Sequence, residues 1–153
     1  MKKKKRPVGR LVNRRARYDY ELGDSLVVGL QLTGAETKAL RLGHGTLRGA
    51  YVTVKNNELW LINAQISSTR GIRIPDDTQT RTRKLLAKRQ EIERLIEGKQ
   101  QGNTIVPLEL LTGGRYIKLR IAVGKGKKSY DKRETIKRRQ QEREIARKAR
   151  SAR

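Results

Sequence analysis

The spacing of apolar positions switches repeatedly between a period of two and one near 3.6, and the switches divide the chain into elements. Tyr18 to Leu32 reads as a strand, ending in Leu26-Val27-Val28-Gly29-Leu30-Gln31-Leu32. Thr33-Gly34-Ala35-Glu36 then has capping-box spacing, which predicts a helix over Ala35 to Leu42 stopped by Gly43, with Ala39 and Leu40 on one face. Leu47 to Lys55 and Glu58 to Ile66 flank Asn56-Asn57, a pair that tolerates the positive φ of a tight hairpin turn. In the second of these strands Trp60, Ile62, Ala64 and Ile66 share a face, opposite Leu59 and Leu61. Trp60 and Tyr51 are expected in the core. Ser67 to Thr82 is polar and aperiodic, a loop.

A second helix is predicted from about Arg83 to Glu97, on the spacing of Leu85, Leu86, Ile92, Leu95 and Ile96, with Gly98 as its stop. Thr104 to Leu111 and Arg115 to Val123 form another hairpin around Thr112-Gly113-Gly114, in which Ile117, Leu119, Ile121 and Val123 alternate with Lys118 and Arg120. Five or six short strands with two to three helices predict a mainly β fold, a small antiparallel β-barrel of OB-fold type with a basic C-terminal tail. The organisation is a basic extension over 1–12, a body over 13–123 and a tail over 124–153.

Charge sharpens this division. Met1 to Arg17 holds nine Lys/Arg and no acid, and Gly124 to Arg153 holds thirteen against four, so the ends supply eighteen of the net +23. A polyanion is the expected partner, because each cation that neutralises a phosphate releases a condensed counterion. A membrane surface would need apolar insertion or an anchor beside the charge, and neither is evident. A cytoplasmic monomer without cofactor is expected, in a chain with no cysteine and one histidine. The tail has good helix formers but few apolar residues, Ile136 and Ile145 standing nine apart. It is expected to be disordered alone and helical where RNA phosphates neutralise it. Tyr130, beside a lysine run, is a ring that gains contact only when a partner covers it.

Catalytic chemistry finds little support. Gly124-Lys125-Gly126-Lys127-Lys128-Ser129 lacks the spacing of a nucleotide-binding loop. Asp76-Asp77 lacks a third metal ligand, and His44, between two glycines, lacks a partner.

Three motifs carry a resemblance that spans Asn13 to about Lys137: Asn13-Arg14-Arg15-Ala16-Arg17-Tyr18-Asp19-Tyr20, then Leu32 through Gly43 as Leu-x-Gly-x-Glu-x-Lys-x-Leu-Arg-x-Gly, and Gly126-Lys127-Lys128-Ser129-Tyr130-Asp131-Lys132-Arg133-Glu134-Thr135-Ile136-Lys137. Arg81-Thr82-Arg83-Lys84-Leu85-Leu86 adds a fourth match, opening the second helix. In these the chain resembles the SsrA-binding proteins, also called small protein B, the bacterial partners of transfer-messenger RNA. It departs from their pattern at Thr46, Gln65 and Thr78-Gln79.

The resemblance implies a non-enzymatic protein that grips the tRNA-like domain of transfer-messenger RNA and brings it to stalled ribosomes for trans-translation. It implies RNA contacts at Asn13, Arg14, Glu36, Lys38, Arg41, Lys125, Lys127 and Lys128. It implies that Tyr130, Asp131, Lys132, Arg133, Ile136 and Lys137 meet the small-subunit decoding centre and mRNA channel. For Glu36 the capping role read from spacing stands beside the implied contact. A structural ribosomal protein and an RNA-processing enzyme remain the alternatives.

Overall fold

In the computed structural model, which describes residues 9–127 and 129–151 (for 129–132, 134, 135 and 151 the backbone only), the alternating segments form one antiparallel sheet. Arg10–Val12 is β1, followed by the single-turn helix α1 (Ala16–Asp19) and the long β2 (Tyr20–Leu30). Helix α2 (Gly34–Arg41) precedes β3 (Gly45–Thr46), β4 (Tyr51–Lys55), β5 (Glu58–Ile62) and β6 (Gln65–Ile66). After a loop holding a short 3₁₀ turn (Asp76–Thr78) come β7 (Arg83–Leu86), α3 (Arg89–Gln100), β8 (Thr104–Leu111), β9 (Lys118–Gly126) and α4 (Ser129–Ser151). The main sheet runs β1-β8-β4-β5-β7-β2-β9, and β8 also pairs with β9, so the ladder returns to β8; β3 and β6 pair separately. Among the described residues the result is a mainly β fold with four α-helices. Among the described residues no helix is long and apolar enough to cross a membrane.

Inward positions of β4, β5, β7, β8 and β9 bring Val52, Leu59, Leu61, Leu85, Ile105, Leu110, Leu119 and Ile121 into one core. Helix α2 covers it with Ala39 and Leu40, and α3 adds Leu95. Fully burying one such leucine is worth about 1.5–3 kcal/mol, and with few aromatics the fold depends on many of them.

The sequence expectation for the second helix is corrected at its start. Arg83–Leu86 is a strand, pairing Leu61↔Arg83, Trp60↔Lys84 and Leu59↔Leu85 on one side and Leu30↔Leu85 on the other. Arg83 and Leu85 point inward and Leu86 outward, and a cation at an inward position hides that period of two. The helix begins at Arg89, where the Glu91 carboxylate accepts from the Lys88 N–H at 3.2 Å. Gly98 lies inside it, since a Cβ there would stand 3.1 Å from both γ carbons of Val123; Gly102, with φ +86°, follows the end.

A second correction concerns β5. Asn56 and Asn57 form the expected turn at φ 53° and 59°, but Asn63 at φ 64° breaks the strand and reverses its parity. Ala64 and Ile66 therefore join Leu59 and Leu61 in the core, while Trp60 and Ile62 stay half-buried on the other face. Tyr51, expected inside, is exposed. At the C-terminal end β9 continues through Gly124–Gly126, and α4 is one helix of 23 residues, about 34 Å long at 1.5 Å per residue. Every described side chain of α4 is exposed.

Candidate nucleic-acid interface

A bulge in β8 lies at a strongly charged concavity. The register of β8 on β9 shifts between Pro107 and Glu109, which places Glu109 opposite Arg120 and beside Val12 of β1. Proline brings no N–H to the ladder, and Asn13 serves the carbonyls there: its Nδ2 donates to Pro107 O at 2.8 Å and its backbone N–H to Leu108 O at 2.8 Å. The chain then turns into α1, burying Ala16 and leaving Arg14, Arg15 and Arg17 outside. Asn13 thus holds the arginines that follow it against the sheet.

The resulting trough, about 1080 Å³, is lined among the described residues by Arg10, Arg14, Arg17, Arg120, Lys127 and Arg139 of α4, with Glu21 and Glu109 as its acids. On its floor Glu109, with a side chain 9% exposed, joins two of these cations. Arg10 donates from Nε to Oε2 at 2.8 Å and again from Nη2, and Arg120 donates from Nε to Oε1 at 2.9 Å. Arg120 Nη1 also reaches Ser25 Oγ at 3.3 Å. Burial alone would raise the Glu109 carboxyl, but the hydrogen bonds from Arg10 and then Arg120 outweigh it and hold the group below the usual range. It is ionised at neutral pH.

A second polar cluster is largely buried. Glu36 accepts from the Thr33 N–H at 2.9 Å while Thr33 Oγ1 accepts from the Glu36 N–H at 3.2 Å, completing the capping box. The same carboxylate accepts from Arg81 Nη2 and, at 2.7 Å, from Arg83 Nε. Arg83 is fully buried, and its remaining donors meet Ala64 O, Arg81 O, Thr78 O and Gln79 O at 2.7–3.4 Å. Burial pushes the guanidinium down and Glu36 pushes it back up, and Arg83 stays a cation.

For Glu36, burial raises the carboxyl, and bonds from Arg81, the Thr33 N–H and Arg83 more than offset it, so the folded value lies below the usual one. A depressed folded value gives stability that is complete above the unfolded value of about 4.3 and lost as pH falls through the folded one. Urea denaturation should show stability falling as pH drops below about 5, with a smaller fall in Glu36→Gln. An identical acid profile in that variant would mean the carboxylate titrates alike in both states.

At the opposite end of α2, Arg41 Nη2 donates to Gly114 O at 3.2 Å and Arg115 O at 2.8 Å, tying the helix to the turn between β8 and β9. Beside it Tyr116 is 69% exposed with the Arg115 guanidinium 5.5 Å from its ring centre, and Leu42 and Lys38 are exposed as well.

This cationic architecture has relatives. The model of the SmpB protein family matches residues 10–151. The chain belongs to the SmpB family. An SsrA-binding protein of Trichormus variabilis is 47% identical over 137 residues, covering 88% of each chain, and one of Streptococcus agalactiae is 43% identical over 136 residues with the same coverage. Among solved structures, a chain described under "tmRNA-SmpB: a journey to the center of the bacterial ribosome" superposes with a TM-score of 0.66 at 34% identity, covering 79% of this chain and 86% of its own.

Within this SmpB-family fold the residues expected at RNA separate into three groups. Asn13, Arg14 and Lys127 meet at the trough. Lys38 and Arg41 are exposed at α2, and Lys125 is exposed on β9. Glu36 stands apart: its carboxylate, 3% exposed, is turned inward onto two arginines and a backbone N–H and ties α2 to them. Arg133, Ile136 and Lys137 are exposed along α4, while Lys128 and the side chains of Tyr130, Asp131 and Lys132 lie outside the described residues. Sequence reasoning counted Arg10 and Arg17 in the basic N-terminal end without singling them out, and it passed over Glu109 and Arg120 as site residues. The signal for Glu109 was an acid in an apolar strand opposite an arginine, legible only with the register.

Proposed function

We propose that this chain is an RNA-binding protein that grips the tRNA-like domain of transfer-messenger RNA and delivers it to stalled ribosomes for trans-translation. The observation that carries the reading is the six-cation trough beside a long basic helix, in a chain of the SmpB family. A trough of this sign attracts phosphates over several ångströms, and guanidiniums bind them with paired N–H groups. The relatives named SsrA-binding protein, and the solved chain described with tmRNA on the bacterial ribosome, supply the identity of the RNA and the machine.

The return of the ladder to β8 supports a small barrel of the OB type as the body. Asn13 positions Arg14 at the trough, Lys38, Arg41, Lys125 and Lys127 extend the cationic surface, and the tail from Tyr130 through Lys137 enters the decoding centre and channel. That tail folds where phosphates neutralise it, since every described side chain of its helix is exposed, Ile136 and Ile145 included. The protein acts by binding and placement in the cytoplasm, without catalysis.

Competition at near-physiological salt tests the reading. The tRNA-like domain should hold the protein against excess ordinary tRNA. Equal competition would reduce the chain to a general basic RNA binder and favour a structural ribosomal role.

A further inference from the structure

We propose that Arg10 and Arg120, held side by side by Glu109, form a guanidinium pair that binds one phosphodiester of the RNA backbone at the floor of the trough. The inference rests on the RNA-binding reading and adds a site to it. Two guanidiniums this close repel, and an exposed arginine samples many rotamers. Glu109 removes both obstacles: its two oxygens each engage a different arginine, and the carboxylate is itself buried and ionised.

The donors left over define the ligand. Arg10 spends Nε and Nη2 on Glu109, leaving Nη1; Arg120 spends Nε on Glu109 and Nη1 on Ser25, leaving Nη2. Both side chains line the trough and remain partly exposed, at 58% and 38%. Two amino groups offered from β1 and β9, the strands that flank β8, match the two non-bridging oxygens of a phosphodiester. The pair and its carboxylate sum to +1, and Arg14, Arg17, Lys127 and Arg139 around them add charge for the adjoining phosphates, which suits a chain of phosphates. Glu109 is a positioning residue here.

Charge and positioning predict opposite signs for one substitution. Glu109→Gln raises the positive charge of the trough by one, so attraction by charge alone would tighten RNA binding. If Glu109 orients the pair, the same change weakens it, by about tenfold, the scale of one charge-assisted hydrogen bond. The experiment measures affinity of the full chain for the tRNA-like domain of transfer-messenger RNA across a salt series, well below the melting temperature of each variant. Arg120→Lys, which keeps the charge but loses the planar donor, should also weaken binding about tenfold at nearly the same salt slope. Arg120→Gln should make the slope shallower by about 0.7–0.9, one phosphate's worth.

Equal or tighter binding by Glu109→Gln would overturn the proposal. Should that variant fail to fold, Arg120→Lys decides: unchanged affinity with lowered thermal stability would leave the triad only a staple across β1, β8 and β9. Wild-type protein that shows no preference over ordinary tRNA would sink the functional reading, and the pair would then be judged by the same salt series on either RNA.

Discussion

Replacing Arg83 with methionine should destabilise the fold by about 3–5 kcal/mol, a large share of the 5–15 kcal/mol that holds a typical domain together. Methionine has similar length and is apolar, so the core keeps much of its packing while every donor is lost. Glu36 then keeps a carboxylate 3% exposed with one arginine fewer, and the carbonyls of Ala64, Arg81 and Gln79 lose donors at 2.7–3.0 Å. Each unsatisfied buried group costs about 1–3 kcal/mol, and the charged one costs most. The cluster joins α2, the end of β5, the loop around the 3₁₀ turn and β7, so its loss is felt beyond one strand. Urea denaturation reads the midpoint. Pairing Arg83→Met with Glu36→Leu should recover part of the loss, because removing both charges leaves less uncompensated than removing one. A single-variant cost under about 1 kcal/mol would show that the cluster contributes no more than an exposed ion pair.

Legibility in the sequence follows how local each cause is. The Thr33–Glu36 box and the Asn56-Asn57 turn depend on neighbours within four residues, and both form as read. The β8–β9 hairpin was legible because alternation survives in Lys118 through Ile121. Arg83 defeated the same reasoning, since an inward arginine looks polar in sequence, and only Glu36, 47 residues away, makes it a core residue. The trough depends on distance still more. Arg10 meets Glu109 across 99 positions, and the bulge that aligns Glu109 with Arg120 leaves no mark in composition. The tail's charge was legible from counting alone, whereas the partner chemistry of Asn13, a side chain spent on the carbonyl of a proline, required the fold.

Deleting residues 130–153 should leave affinity for the tRNA-like domain within about tenfold of the full chain and reduce peptide tagging to background. The body keeps its core, because every described side chain of α4 is exposed, Ile136 and Ile145 included. Thermal stability should hardly change, which separates this variant from Arg83→Met. The trough loses Arg139 but keeps Arg10, Arg14, Arg17, Arg120 and Lys127, so at most about one phosphate contact is lost, and the salt slope should become shallower by about one unit or less. Tagging makes a different demand. A helix of about 34 Å with nine cations and four acids over residues 129–151 is long enough and basic enough to follow a groove lined by RNA, which a body alone cannot reach. Translation of a message without a stop codon, with the tag detected on the unfinished peptide, separates the two functions in one preparation. Retained tagging by the shortened chain would remove the tail from the mechanism, and joint collapse of tagging and RNA affinity would place the RNA grip on α4 rather than on the trough.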